Sequence, residues 1–195
     1  MKSLGIMTTA IAELRQHLLD LLLQFAYQEG DFVLSSGQKS TYYINSKQVT
    51  LRADGALTVG RLLWAMLPPD THGVGGLTLG ADPMVTAVSL VSELEARPIP
   101  ALIVRKHPKG HGTKAYIEGP NLPTGANVVV LEDVVTTGQS ALQAVEHLRN
   151  AGYTVTKIMA LVDREQGGQA CYAANDLEFE AIFSIRDLQA AAQSV

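Results

Sequence analysis

The residues best suited to chemistry lie together in Val128-Val129-Val130-Leu131-Glu132-Asp133-Val134-Val135-Thr136-Thr137-Gly138-Gln139-Ser140. An apolar run ends in two adjacent carboxylates, and a Thr/Gly turn then leads into a helix-like pattern from Ala141. This order sets the acids at the carboxyl end of a strand and the turn at a helix N-terminus. Free backbone N–H groups and hydroxyls at such a turn cradle a phosphate. Adjacent strand residues point in opposite directions, so the two carboxylates need not do the same job. One can face sugar hydroxyls while the other orients the turn or a hydrated metal; a single acid here would read equally well as a flank of the turn. The stretch is not the lysine-bearing phosphate loop of ATPases, because no GxxxxGK[ST] is present. It is a candidate site for a phosphorylated, polyhydroxylated substrate.

A second constellation is Arg105-Lys106-His107-Pro108-Lys109-Gly110-His111-Gly112-Thr113-Lys114, rich in basic groups and without an acid. It reads either as a solvated surface loop or as an anion clamp. In the clamp, arginine grips phosphate oxygens through paired donors, lysine adds point charges, and the glycines let the loop close. Asp163-Arg164-Glu165 follows another apolar run; Arg164 serves there as a salt-bridge partner or grips a ligand carboxylate. The glycines from Gly73 to Gly80 are too loosely spaced for a dinucleotide fingerprint, and Gly80-Ala81-Asp82 suits a compact turn beside phosphate. His17, His72 and His147 form no ligand pattern, and Cys171 has no base beside it in sequence. Tyr42 and Tyr43 suit packing, or one of them can flank a planar substrate.

These groups need elements to hold them. Leu14, Leu18, Leu21, Leu22 and Phe25 share one side of a helix predicted over 9–27. Short strands are predicted at 32–34 and 41–45, and a helix at 52–66. A strand at 74–79 is followed by a helix at 84–94, with Asp82 as its side-chain cap and Pro83 at its first position. Then come a strand at 100–104, a long flexible loop at 105–119, a strand at 127–131 and a helix at 140–150. Strands at 155–162 and 179–183 and a terminal helix at 185–191 complete the chain. The alternation of strand and helix predicts an α/β fold, a central mostly parallel sheet flanked by helices. Residues 9–50 fall outside that series and are expected to form a small hood over the sheet's carboxyl edge, where open sheets bind ligands.

Size and composition bound the rest. A chain of 195 residues, 47% hydrophobic, is expected to be one domain spanning 1–195. Fifteen basic and nineteen acidic residues give a net charge of −4, which argues against bulk nucleic-acid binding. One cysteine makes no internal disulfide. No apolar run approaches the ~18 residues of a membrane span, and residues 1–7 do not read as a signal peptide, so a cytoplasmic protein is expected.

Together these motifs resemble the type I phosphoribosyltransferases, and within them the orotate-specific branch. The sugar-diphosphate motif is matched by 129–140. The basic loop Arg105 to Gly112, the early segment Phe32 to Asn45 and Asp163-Arg164-Glu165 carry the orotate likeness. The resemblance implies the type I phosphoribosyltransferase fold and transfer of ribose 5-phosphate from 5-phosphoribosyl 1-diphosphate to N1 of orotate. The products would be orotidine 5′-monophosphate and diphosphate, in pyrimidine (UMP) biosynthesis. It implies Mg2+ carried largely by the diphosphate rather than by a protein metal site. Glu132 and Asp133 would engage the ribose hydroxyls. Thr136, Thr137, Gly138, Gln139 and Ser140 would receive the 5-phosphate, and Val134 and Val135 would be among the substrate-binding residues. Arg105, Lys106, Lys109 and His111 would meet the diphosphate, with Lys109 acting on the leaving group.

Arg164 would hold the orotate carboxylate, and Tyr43 and Ile44 would line the base pocket. The resemblance also implies a homodimer in which loop residues serve the partner's site. Two positions depart from the pattern: Ser35 stands where many relatives carry lysine, and Gly80-Ala81-Asp82-Pro83 lacks the tyrosine-lysine pair of some relatives. Grip at that turn would then rest on backbone groups and Asp82. The competing readings are a transferase for another base, which needs no arginine for a carboxylate, and a non-catalytic phosphoribosyl-diphosphate sensor that binds nucleic acid.

Overall fold

Alternate residues of the central strands fill two different cores, and this alternation positions everything else. In the computed structural model, which describes residues 9–33, 39–108 and 116–193, Val129 and Leu131 of strand β6 (Val128–Val135) face one core. Val128 and Val130 face the other. Strand β7 (Lys157–Asp163) repeats the pattern, with Met159 and Leu161 on the first side and Ile158 and Ala160 on the second. Strands buried on both faces read as unbroken apolar runs, and here helices cover both faces.

The first face is covered by α1 (Ile11–Leu21), α3 (Ala53–Met66), α4 (Asp82–Leu94) and α7 (Ile185–Ala192). The second is covered by α5 (Gln139–Asn150) and the short α6 (Gly168–Ala173). The sheet has six strands. With β3 (Gly73–Leu77), β4 (Ala101–Val104), β5 (Ile117–Glu118) and β8 (Glu178–Ser184), its order is β5-β4-β3-β6-β7-β8. All neighbours are parallel except β5, which pairs antiparallel with β4. The chain leaves β3 toward β4 and returns on the other side as β6. The switch point therefore lies between β3 and β6, where the carboxyl ends of an open sheet diverge and leave a crevice.

The N-terminal region divides in two. Leu14, Leu18, Leu21 and Leu22 pack into the same core as Phe183 and Leu188. Arg15 ties α1 to β8 by donating to the Ile182 carbonyl at 3.1 Å and lying over the Phe183 ring. Strands β1 (Tyr27–Val33) and β2 (Lys39–Ile44) form a separate antiparallel hairpin. A short helix, α2 (Lys47–Thr50), then leads toward the sheet.

Several boundaries differ from the sequence expectation. The helix predicted over 9–27 ends as a π-helical turn at Leu22–Ala26, and Tyr27 already opens β1. Cross-strand pairing of Tyr27, whose ring meets Tyr42 at 6.1 Å, prevails over the helical period. Within 105–119, Ile117 and Glu118 add an edge strand beside Ile103 and Val104. The strand predicted at 127–131 runs on to Val135, so Glu132 and Asp133 sit inside β6 rather than after it. Asp82 makes no cap; its carboxylate accepts from the Thr78 hydroxyl at 2.7 Å. Helices α2 and α6 are too short to leave a period in the sequence.

Close packing at the switch point leaves no room for a side chain at position 76 of β3. A Cβ on Gly76 would lie 2.5 Å from the Leu131 carbonyl oxygen of β6 and collide with the Ala81 methyl. Gly76→Ala is therefore expected to cost about 1–3 kcal/mol of folding free energy by overpacking, measured as a lower urea midpoint at unchanged slope.

Candidate active site at the carboxyl edge of the sheet

The crevice between β3 and β6 opens into a cleft of about 740 Å³, lined by Lys47, Thr78, Leu79, Gly80, Arg105, Lys106, Glu132, Asp133 and Ser140 among others. A smaller cradle of about 70 Å³ adjoins it, lined by Glu132, Val134, Val135, Thr136, Thr137, Gly138, Gln139, Ser140, Ala141 and Tyr172. Glu132 and Ser140 border both spaces. A sugar bridging an anion in the cradle and a second anion in the cleft would pass these two residues.

The two acids occupy different environments. Asp133 is buried and accepts a short hydrogen bond of 2.5 Å from the Ser46 hydroxyl, with Lys47 Nζ 3.7 Å away. Gly80 closes in from β3's end, where a Cβ would collide with the Asp133 carboxylate. Glu132 points the other way, as the strand's alternation requires. Its Oε2 is buried and has no hydrogen-bond partner. Burial first, then the neighbouring Asp133 charge, push its carboxyl up to about 8, while Lys106 and Lys47 pull it back. The pair is thus one carboxyl group held by a hydrogen bond beside one that burial pushes toward its neutral form.

The cradle depends on Gly138. Its φ of 89° lies in the left-handed region, which brings the turn's amides round to the start of α5. A Cβ there would also strike the Tyr172 ring at 2.8 Å. The Gln139 amide nitrogen turns aside to Cys171 Sγ at 3.5 Å, while Thr137 and Ser140 stay exposed.

On the basic rim, Lys106 reaches Glu132 electrostatically. Arg105 pairs with Glu118 of β5 at 3.3 Å and donates to the His107 carbonyl. That half-exposed ion pair contributes little to stability and is open to exchange for a phosphate. Lys109 and His111 lie outside the described residues, as does Ser35. The turn after β3, with a cis Thr78–Leu79 peptide, lines the cleft with Thr78, Leu79 and Gly80.

Arg164 stands at the end of β7, its backbone N–H donating to Val135 O at 2.9 Å. Its described side-chain partners are not acids. Nε donates to the Tyr42 hydroxyl at 3.1 Å, Nη2 to Ser40 Oγ at 3.3 Å, and the guanidinium lies 4.8 Å from the Tyr42 ring centroid. The hairpin thereby holds the arginine in place while engaging two of its five donors. Tyr42 is buried; Tyr43 points outward against Phe32, and Ile44 packs on the main core. Neither Tyr43 nor Ile44 lines the cleft or the cradle.

Sequence reasoning missed Ser46, Lys47, Ser40 and Tyr172. None carries a local motif; each reaches the site from another element. Among the described residues, no three His, Cys, Asp or Glu side chains gather into a metal cage.

A family profile described as "Phosphoribosyl transferase domain" matches residues 84–178. The chain is 68% identical over 182 residues to the orotate phosphoribosyltransferase of Nostoc sp. (strain PCC 7120), covering 93% of this chain and 88% of that relative. The crystal structure of Mycobacterium tuberculosis H37Rv orotate phosphoribosyltransferase in complex with Fe(III) dicitrate matches with a TM-score of 0.79 at 37% identity. That match covers 90% of this chain and 98% of that one. The complex with 5-phospho-alpha-D-ribosyl 1-diphosphate matches with a TM-score of 0.76 at 34% identity, covering 90% and 99%.

The raised Glu132 carboxyl sets a pH dependence. The folded chain keeps a proton that the unfolded chain releases near pH ~4.3. This group's contribution to stability is therefore full below that value and is lost as pH rises toward about 8. Glu132→Gln, which cannot ionise, should gain stability relative to the parent between pH 5 and pH 8, by on the order of 2–4 kcal/mol. Urea unfolding at both pH values reads the difference; a constant difference would mean Glu132 is not buried in this way.

Proposed function

The chain belongs to the orotate phosphoribosyltransferases, and on that premise we propose how its residues divide the work. The reaction transfers ribose 5-phosphate from 5-phosphoribosyl 1-diphosphate to N1 of orotate, releasing diphosphate and forming orotidine 5′-monophosphate. The observation that carries the residue assignment is the junction of cradle, acid pair and basic rim at the carboxyl end of β6.

The cradle from Val134 to Ser140 takes the 5-phosphate through backbone amides and hydroxyls. Glu132 and Asp133 take the ribose hydroxyls. Asp133, fixed by Ser46, is the stiff member of the pair, and Glu132 gains in the sugar hydroxyls the partner it lacks. As the bond to diphosphate lengthens, positive charge develops on the ribose and negative charge on the leaving group. The nearby carboxylates offset the first. Arg105, Lys106, Lys109 and His111 offset the second, with Lys109 the principal group acting on the departing diphosphate. Orotate arrives as an anion and needs no strong base. Arg164, steadied by Tyr42 and Ser40, holds its carboxylate.

The donor set suits magnesium delivered with the substrate. Two carboxylates beside a phosphate site complement an ion held mostly by phosphate oxygens and water, and no protein cage is needed. Bound there, magnesium would neutralise diphosphate charge. A homodimer with the loop serving the neighbouring site completes the reading. An apolar groove of about 750 Å³ beside the cleft, with Leu51, Leu79 and Leu90 largely exposed, supports a partner on that side. No helix among the described residues is long and apolar enough to cross a membrane, and a cytoplasmic location fits the composition.

The primary test is conversion of orotate with phosphoribosyl diphosphate and magnesium, the product confirmed by mass. Dependence on all three is expected, and preference for adenine, guanine or uracil would overturn the base assignment. Arg164→Ala should raise KM for orotate about 10–100-fold with little change in KM for phosphoribosyl diphosphate, the cost of one charge-assisted grip. Lys109→Ala should lower kcat about 100-fold. Mixing Lys109→Ala with Asp133→Asn should restore about a quarter of parental turnover if the loop crosses a two-fold interface, since half the dimers pair one intact site. A mixture as inactive as its components would place Lys109 in its own subunit's site.

A further inference from the structure

Tyr172 is the one tyrosine that borders the cradle, and its hydroxyl is unexplained by the fold. The side chain is fully buried, yet the hydroxyl has no hydrogen-bond partner among the described residues. A buried phenol normally finds one, and an orphaned donor is costly. Packing alone would be served as well by phenylalanine. The ring sits against Gly138 and meets Phe179 at 5.0 Å, contacts that a phenyl ring reproduces. The polar end is toward the turn: a Cβ on Gly138 would lie 3.3 Å from the Tyr172 hydroxyl oxygen.

We infer that the Tyr172 hydroxyl is a binding group for the ribose 5-phosphate, donating from the floor of the cradle to an oxyanion that enters it. This rests on the assignment of the cradle to the 5-phosphate and adds a donor from α6, behind the turn. Three observations converge: the donor is buried, it has no protein partner, and its side chain lines a space of about 70 Å³ walled by the amides of an αL turn. Burial, reinforced by the Glu132 charge, holds the phenol well above its usual range, so it stays protonated and acts as a donor at any working pH. Glu132 Oε2, the other orphaned atom on the cradle's lining, is an acceptor when ionised and suits a sugar hydroxyl rather than a phosphate. The cradle thus offers its donor and its acceptor to adjoining parts of one ligand.

Tyr172→Phe in the full chain tests the assignment. Melting temperature should stay level or rise, because an unsatisfied hydroxyl is removed. Affinity for ribose 5-phosphate, measured by calorimetry, should fall about tenfold or more, the worth of a hydrogen bond to a charged group. KM for phosphoribosyl diphosphate should rise in step, while kcat and KM for orotate change far less. A merely structural hydroxyl would leave that split unmoved. Parental affinity in Tyr172→Phe overturns the assignment. If Ser140→Ala weakens binding at the same time, the cradle itself stands; if neither variant weakens, the cradle reading falls with it. In the unmutated chain carrying 13Cζ-labelled tyrosine, a buried tyrosine resonance should shift on adding ribose 5-phosphate, and an unshifted spectrum also overturns the assignment.

Discussion

Two adjacent carboxylates inside a central strand must be accommodated where water reaches them poorly. An isolated charge in such a place is costly, and two like charges side by side cost more. The molecule resolves the conflict unequally. Asp133 receives a short hydrogen bond from Ser46 and a lysine nearby, while burial and the Asp133 charge push the Glu132 carboxyl toward its neutral form. Ser46 and Lys47 lie at the start of α2, so this one contact also fastens the N-terminal region to the sheet. The turn after β3 must end in a glycine at position 80 because Asp133 occupies the space a side chain would need.

The unequal pair leaves one acid's oxygen unsatisfied, and it has company. Glu132 Oε2 and the Tyr172 hydroxyl, both on the cradle's lining, are buried without partners among the described residues. Native interiors seldom leave such groups unsatisfied, and where they do, function is the usual reason. A polyanionic sugar would supply acceptors for donors and hydroxyls for carboxylates. Its binding energy would be concentrated at the atoms that the reaction requires to be held still. On the proposed reading the hairpin serves the second substrate. By stacking Tyr42 on Arg164 and bonding it from two hydroxyls, it fixes a planar cation whose remaining donors suit a carboxylate.

Local pattern made the layered α/β architecture legible. Apolar runs at 74–79, 100–104, 127–131 and 155–162, with helical periods at 84–94 and 140–150 between them, correspond to β3, β4, β6 and β7, because strands buried on both faces admit few polar residues. The acid pair and the Thr136 to Ser140 turn were legible as chemistry for a related reason. Polar residues directly continuing a buried strand, followed by a glycine that the chain can place at positive φ, are rarely accommodated without a role. Arg164 was readable as a carboxylate ligand or an ion-pair member, and only its neighbours separate these.

The sequence by itself determined the parallel strands β3, β4, β6, β7 and β8, the run that leads into the acids and the turn that follows them, since each follows from near-neighbour periodicity and backbone preference. The tertiary structure alone decided which acid is paired and which keeps its proton, because Ser46 and Lys47 approach from 86–87 positions away. It also decided that Tyr42 rather than Tyr43 touches Arg164, since strand pairing settles which side of the hairpin faces inward. It brought Tyr172 beneath Gly138 from a helix too short to announce itself. Hydrogen bonding and desolvation depend on distance in space, and no local pattern encodes the distance between residues that meet only after the sheet has formed.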